Sequence, residues 1–197
     1  MRCRLPPTRL IIGAALIMAI MAGLAHAPSS GSPQKDSITQ IALQLTRDSA
    51  ELFDVETALF KLLTKAQLGE LTPSVVRREL DRLDAKRHHL TDRLHRTWQT
   101  ALRREQQAIR AGEPGRWRYV SIAASRLASN AGILRSLWVS LFLPVTMLKD
   151  DDANKLREML QNQQVLSDWA VSRYILELNR DVANLALSLA IDLGGRR

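Results

Sequence analysis

Apolar residues recur along most of this chain at alternating steps of three and four, the repeat that lines one face of an α-helix. Over residues 36–68 the series is Ile38, Ile41, Leu45, Leu52, Val55, Leu59, Leu62 and Ala66. Gly69 follows as a natural stop, because glycine enters the left-handed conformation at low cost. Thr72-Pro73 restarts the chain, with a side-chain oxygen to cap free amides and a proline suited to the first helical position. The second helix carries Val76, Leu80, Leu83, Arg87, Leu90, Leu94, Thr97, Ala101 and Ala108 in its seam and ends at Gly112-Glu113-Pro114-Gly115. So short a connection predicts an antiparallel hairpin over residues 36–111.

A third helix is predicted over about 117–143, with Val120, Ala124, Leu127, Ala131, Leu134, Trp138 and Leu141 as its stripe. Ala124, Ala128, Gly132 and Ser136 fall four apart, a ridge of small residues that would let another helix approach closely. Pro144 should break or kink this element, and Asp150-Asp151-Asp152 suit the next helix N-terminus. The last helical region spans about 152–193, with a polar interruption at Gln161-Asn162-Gln163-Gln164 and a clean seam at Ile175, Leu178, Val182, Leu185 and Leu189. No alternation of strand type and no internal repeat is present. The predicted fold is all-α: an antiparallel bundle of about four helices, in which the first two form a long, coiled-coil-like hairpin projecting from a smaller bundle.

The first 27 residues read differently. Arg2, Arg4 and Arg9 precede an uncharged apolar run over 10–24, and Ala25-His26-Ala27 presents the small residues a signal peptidase accepts. The run is short for a hydrocarbon core of about 30 Å, so a cleaved secretory signal over 1–27 is expected, with a retained signal anchor as the alternative. Residues 28–35 then form a polar linker, and 36–197 a single helical domain, comprising the hairpin and C-terminal helices over 117–193. Export places the product in the periplasm of a bacterial source.

The single cysteine, Cys3, lies in that leader, so the exported chain is expected to use no disulfide, cysteine-ligated metal or thiol nucleophile. Removing the three leader arginines reduces the formal charge from +8 to +5, a modest basic excess. Such a surface can attract membrane phosphates or an acidic partner. Export argues against nucleic acid, even though Arg116-Trp117-Arg118-Tyr119 interleaves bases with aromatics; a packed helix entry is the expected role.

Two charged residues occupy slots the seam would fill with apolar ones: Asp48 and Arg87. Folding the hairpin about 69–72 brings position 48 near 93 and position 54 near 87, so Asp48–Arg93 and Asp54–Arg87 are the expected register-setting pairs. On the second helix Asp84, His88, Asp92 and His95 lie four, four and three apart, on one face. His88, Asp92 and His95 are therefore candidate ligands for a divalent metal such as zinc or copper, against the plainer reading of a solvated polar face. Residues 136–148 carry no charge over thirteen positions, and Leu137, Trp138, Leu141 and Phe142 form a candidate interaction patch unless they fill the core.

No phosphate-binding glycine loop, readable catalytic carboxylate pair or serine nucleophile elbow occurs. Leu71-Thr72-Pro73 resembles the Leu-Thr-x-x-Gln helix start of periplasmic helical chaperone and metal-resistance proteins, with Val75 where that motif has glutamine. The expected function is an exported helical interaction protein of the cell envelope: a scaffold, adaptor or accessory subunit meeting a protein partner or itself through helix faces, with membrane-surface contact as a further option. The alternatives are a metal-responsive or chaperone-like protein using the His/Asp face, and a small-molecule enzyme in which several of Arg47, Asp48, Arg87 and Arg126 converge in a pocket.

Overall fold

A computed structural model of the chain describes residues 33–113 and 115–195, with side chains described from Ile38 onward except at 116, 140–142, 163–166 and 193–195. The expected leader lies outside these residues. The elements are α1 (Pro33–Gln67), α2 (Pro73–Arg110), α3 (Gly115–Thr146), a 3-10 turn (Asp150–Asp152), α4 (Ala153–Leu160) and α5 (Gln163–Gly195). Among the described residues there is no strand, and the all-α antiparallel bundle expected from the periodicity is the fold.

Helix ends follow local chemistry. Gly69 and Gly112 both take φ +79°. At each, the glycine amide bonds three residues back and the following amide five residues back, the paired closure that satisfies the last carbonyls of a helix. Thr72, expected to cap α2 through its hydroxyl, forms no side-chain cap and instead meets Ser74 Oγ at 3.1 Å. The Ser74 amide donates to Asp150 Oδ1 at 2.9 Å, so an acid from the far side of the chain completes this helix start. Asp152 Oδ2 accepts from the Lys149 amide at 2.8 Å, as the acid cluster suggested. Pro144 lies inside α3, two positions before its last residue, where its missing N–H removes a single bond of the last turn. α1 opens at Pro33, within the stretch expected to be linker, since proline suits a first helical turn.

The four long helices form a closed ring. α1 meets α2 through Arg93, whose Nη2 reaches both Asp48 and Glu51. α2 packs along α3 and α3 along α5. α5 returns to α1, where the Phe60 and Trp169 rings lie 3.6 Å apart and Thr46 Oγ1 donates to the Ala183 carbonyl at 3.5 Å. Each neighbour runs antiparallel to the last. The hairpin does not project. α1 and α2 span 35 and 38 residues against 32 and 33 for α3 and α5, and α2 stays buried as far as Ala108. The 3-10 turn and α4 close one end, where Arg77 donates to the Leu148 carbonyl and the Arg157 guanidinium lies over Gly69.

One continuous core runs through the ring. The seams read for α1, α2 and α3 are its lining: Leu45, Leu52, Leu59, Val76, Leu80, Leu94, Val120, Leu127 and Leu134 are all buried. Each such aliphatic side chain contributes about 1.5–3 kcal/mol of transfer free energy. The small-residue ridge of α3 is not a helix contact as a whole: Ala124 is buried, but Gly132 and Ser136 are exposed and a methyl added at Gly132 would meet nothing.

Candidate functional site

Two charged layers interrupt the core between α1 and α2. In the first, Asp48 is fully buried and its Oδ1 accepts from Arg93 Nη2 at 2.6 Å and from Gln44 Nε2 at 2.7 Å. This is the Asp48–Arg93 pair read from the hairpin. Burial raises the Asp48 pKa above the ordinary carboxylate value, with Arg93 and Gln44 opposing. Glu51 shares the same guanidinium at 2.6 Å, and the two carboxylates hold Arg93 charged against its partial burial.

The second layer differs from expectation. Arg87 is buried but does not pair with Asp54, which is exposed. Its Nη2 donates to Asp84 Oδ1 at 2.6 Å, and its Nη1 lies 3.7 Å from Glu56 Oε1. Hairpin folding brings 54 level with 87, but two further residues rotate the side chain by about 200° around the helix, so Glu56 and not Asp54 points inward. Trp138 Nε1 donates to Glu56 Oε2 at 2.8 Å, which joins α3 to the α1–α2 pair across the bundle. Burial lifts the Glu56 carboxyl to about 7, against the pull of Arg87 and Trp138. Glu56 was not singled out from the sequence. The available signal was Trp138 on a core stripe, since a buried indole N–H requires an acceptor.

Trp138 also corrects the interaction-patch reading. It is 2% exposed and belongs to the core, as Leu134, Val145 and Leu148 do, and Leu137 is half-buried against it. The side chains of Leu141 and Phe142 lie outside the described residues. The segment divides between core and surface: Trp138, Val145 and Leu148 are buried, whereas Val139, Leu143 and Met147 are exposed.

The metal-ligand face is open to solvent. His88 Nε2 and Asp92 Oδ2 are 3.9 Å apart with both side chains exposed, while His95 sets its ring edge-on to Trp98 at 5.1 Å. Among the described residues no group of three or more His, Cys, Asp or Glu side chains is placed to hold an ion. Arg47, Asp48, Arg87 and Arg126, proposed to converge in an enzyme pocket, do not meet. Arg47 and Arg126 are exposed, and Asp48 and Arg87 sit in separate layers. Glu51, Asp54, Val55, Lys86, His89 and Leu90 line an open groove of about 340 Å³ on the α1–α2 surface.

The largest departure is on α5. Its clean apolar seam is not the buried face. Leu178 is 41% exposed and Leu185 60%, Val182 and Leu189 are half-buried, and of the predicted series Ile175 alone is buried. The inward face consists of Ser172, Ile175, Leu176, Asn179, Ala183, Ala186 and Ala190. Asn179 Oδ1 accepts from Asn130 Nδ2 of α3 at 2.7 Å, which locks this rotation. Val171 and Tyr174 extend the outward seam at steps of three and four. Trp169, stacked on Phe60 of α1, is nine residues from Leu178 and so points the opposite way, which places the seam on the α3 side of α5. Across the groove Tyr119, Ile122 and Ile133 of α3 are exposed near the line of Asn130. Together they make one apolar outer face shared by α3 and α5, with Arg126 within it.

No helix of the described residues is long and apolar enough to cross a membrane. Comparison with known proteins finds no matching family, no matching curated protein and no matching solved structure.

Proposed function

We propose that this protein is an exported interaction protein of the cell envelope, a scaffold, adaptor or accessory subunit whose working surface is the outer face of α3 and α5. The observation that carries the reading is the rotation of α5. A helix normally turns its most regular apolar seam inward, and here Tyr174, Leu178 and Leu185 face water while alanines face the core. Alanines let α5 approach its neighbours closely. They leave the large side chains outside, and contiguous exposed apolar surface of that kind marks binding sites. Recognition would be helix-face packing, in which anchors at steps of three and four enter a complementary surface.

The reading is tested by photo-crosslinking in intact cells from probes placed at Leu178 and Leu185, with probes at Lys61 and Arg103 on other faces as controls. Adducts are expected from the first two positions. A folded chain that crosslinks no better from Leu178 and Leu185 than from the controls removes the proposal. Export over 1–27 is tested on the same cells, since an intact Met1 on a cytosolic product would exclude it.

A further inference from the structure

The outer face of α3 and α5 has an unequal charge distribution that points to its occupant. Along this face α3 presents Arg118 and Arg126 and no acidic residue, whereas α5 presents Asp181 and Asp192. On α3 the exposed apolar side chains flank Arg126, and on α5 the apolar seam runs beside Asp181. We propose that a second copy of this chain covers the face, forming a two-fold dimer whose axis runs parallel to the helices. This inference rests on the assignment of the face as a binding surface and names its partner.

Symmetry and charge together select this arrangement. A two-fold axis across the helices would set α3 against α3, bringing arginine edges together, which is repulsive. An axis along the helices sets α3 of one copy against α5 of the other, basic edge on acidic edge. Such an axis also leaves every residue at its own height. The Asn130–Asn179 bond gives the height register between α3 and α5. On that register Arg126 is level with position 183 and Arg118 with position 191, each within about one helical turn of an acid. Arg126 then faces Asp181 of the partner subunit, and Arg118 faces Asp192 of the partner subunit. Arg126 and Arg118 are exposed and form no ion pair among the described residues, and Asp181 is held loosely by Arg180 at 3.9 Å.

The face is large enough. Two helices of 32 and 33 residues side by side present roughly 50 by 20 Å, against about 800 Å² per partner in a standard specific interface. Tyr119, Ile133, Tyr174, Leu178 and Leu185 from both copies would meet along the axis, with the Arg126 pair among them and the Arg118 pair at the edge.

The test is sedimentation equilibrium on four preparations: the wild-type chain, Arg126→Asp, Asp181→Arg, and an equimolar mixture of the two variants. The wild-type chain is expected to be a dimer. Each single variant places like charges in both symmetric pairs and should weaken self-association by about tenfold or more. In the mixture, aspartate at 126 meets arginine at 181, and aspartate at 181 meets arginine at 126. The dimer should therefore return, as a heterodimer. Unchanged circular dichroism in each variant separates this from loss of fold. A wild-type chain that stays monomeric at about 100 μM, or a mixture no more dimeric than its components, overturns the inference. Crosslinks from Leu178 to another protein would then leave the binding face standing without the dimer. Monomer cosedimenting with anionic vesicles, and losing that binding in Leu178→Glu, would likewise overturn it by assigning the face to lipid.

Discussion

Trp138 of α3 donates its indole N–H to Glu56 of α1 at 2.8 Å inside the bundle, next to the buried Arg87. This bond ties the third helix to the hairpin at one level and gives the core a titratable centre. Burial raises the Glu56 carboxyl from its ordinary 4.5 to about 7, so the folded chain binds this proton more tightly than the unfolded one. Its stabilising contribution is complete below about pH 4.5 and is lost as pH rises through about 7. Glu56→Gln should remove that dependence. In urea titrations at pH 5 and pH 8, the wild-type chain should lose about 2.5 kcal/mol relative to the variant between the two. Parallel curves would show that Glu56 is ionised in the fold at both pH values.

Trp138→Phe keeps most of the ring volume and removes the donor. Leaving the Glu56 carboxyl without it should cost about 1–3 kcal/mol in chemical denaturation. In a cycle with Glu56→Gln, the two changes should be non-additive, with a coupling of about 1 kcal/mol.

In the Asp48–Arg93 pair the carboxylate is fully buried, so its desolvation offsets much of the attraction between the charges. Arg93→Ala should cost about 2–3 kcal/mol, because Asp48 remains buried without its cation. Replacing both by leucine should recover most of that loss in thermal melts, and a double variant as unstable as Arg93→Ala would contradict this account.

Gly69 carries two constraints at once. Its φ of +79° strains any residue with a Cβ, and a methyl there would overlap the Arg157 guanidinium. Gly69→Ala should lower stability by about 1–2 kcal/mol. Adding Arg157→Ala should relieve the overlap and leave the backbone cost, so recovery in the double variant should be partial.

The rotation of α5 gives a contrast that stability measurements can read. At protein concentrations low enough to keep the chain monomeric, Leu178→Ser and Leu185→Ser should each change stability by less than about 1 kcal/mol, as surface positions do. Ala183→Leu and Ala186→Leu push extra volume between close helices and should cost about 1–3 kcal/mol or more. The reverse order would mean that the leucine seam is the buried one.

The seams of α1, α2 and α3 were legible because on each the regular repeat of three and four coincides with the buried face, even though Tyr119, Ile122 and Ile133 of α3 lie outside it. The Asp48–Arg93 pair was legible for a related reason: a short turn sets the level of facing residues. Level without rotation was not enough for Arg87, whose buried partner is Glu56 and not Asp54. On α5 the same repeat misled, since two faces compete there, one rich in leucine and one in alanine.

Periodicity by itself therefore determined the helical class, the number of long helices, their turns and three of the four core stripes, because local spacing and glycine chemistry suffice for those. Only the tertiary structure decided which side of α5 is buried, where Trp138 lies and which carboxylate meets Arg87. Those outcomes depend on how closely neighbouring helices can approach, and alanines at Ala183, Ala186 and Ala190, locked by the Asn130–Asn179 bond, permit an approach that leucines would block.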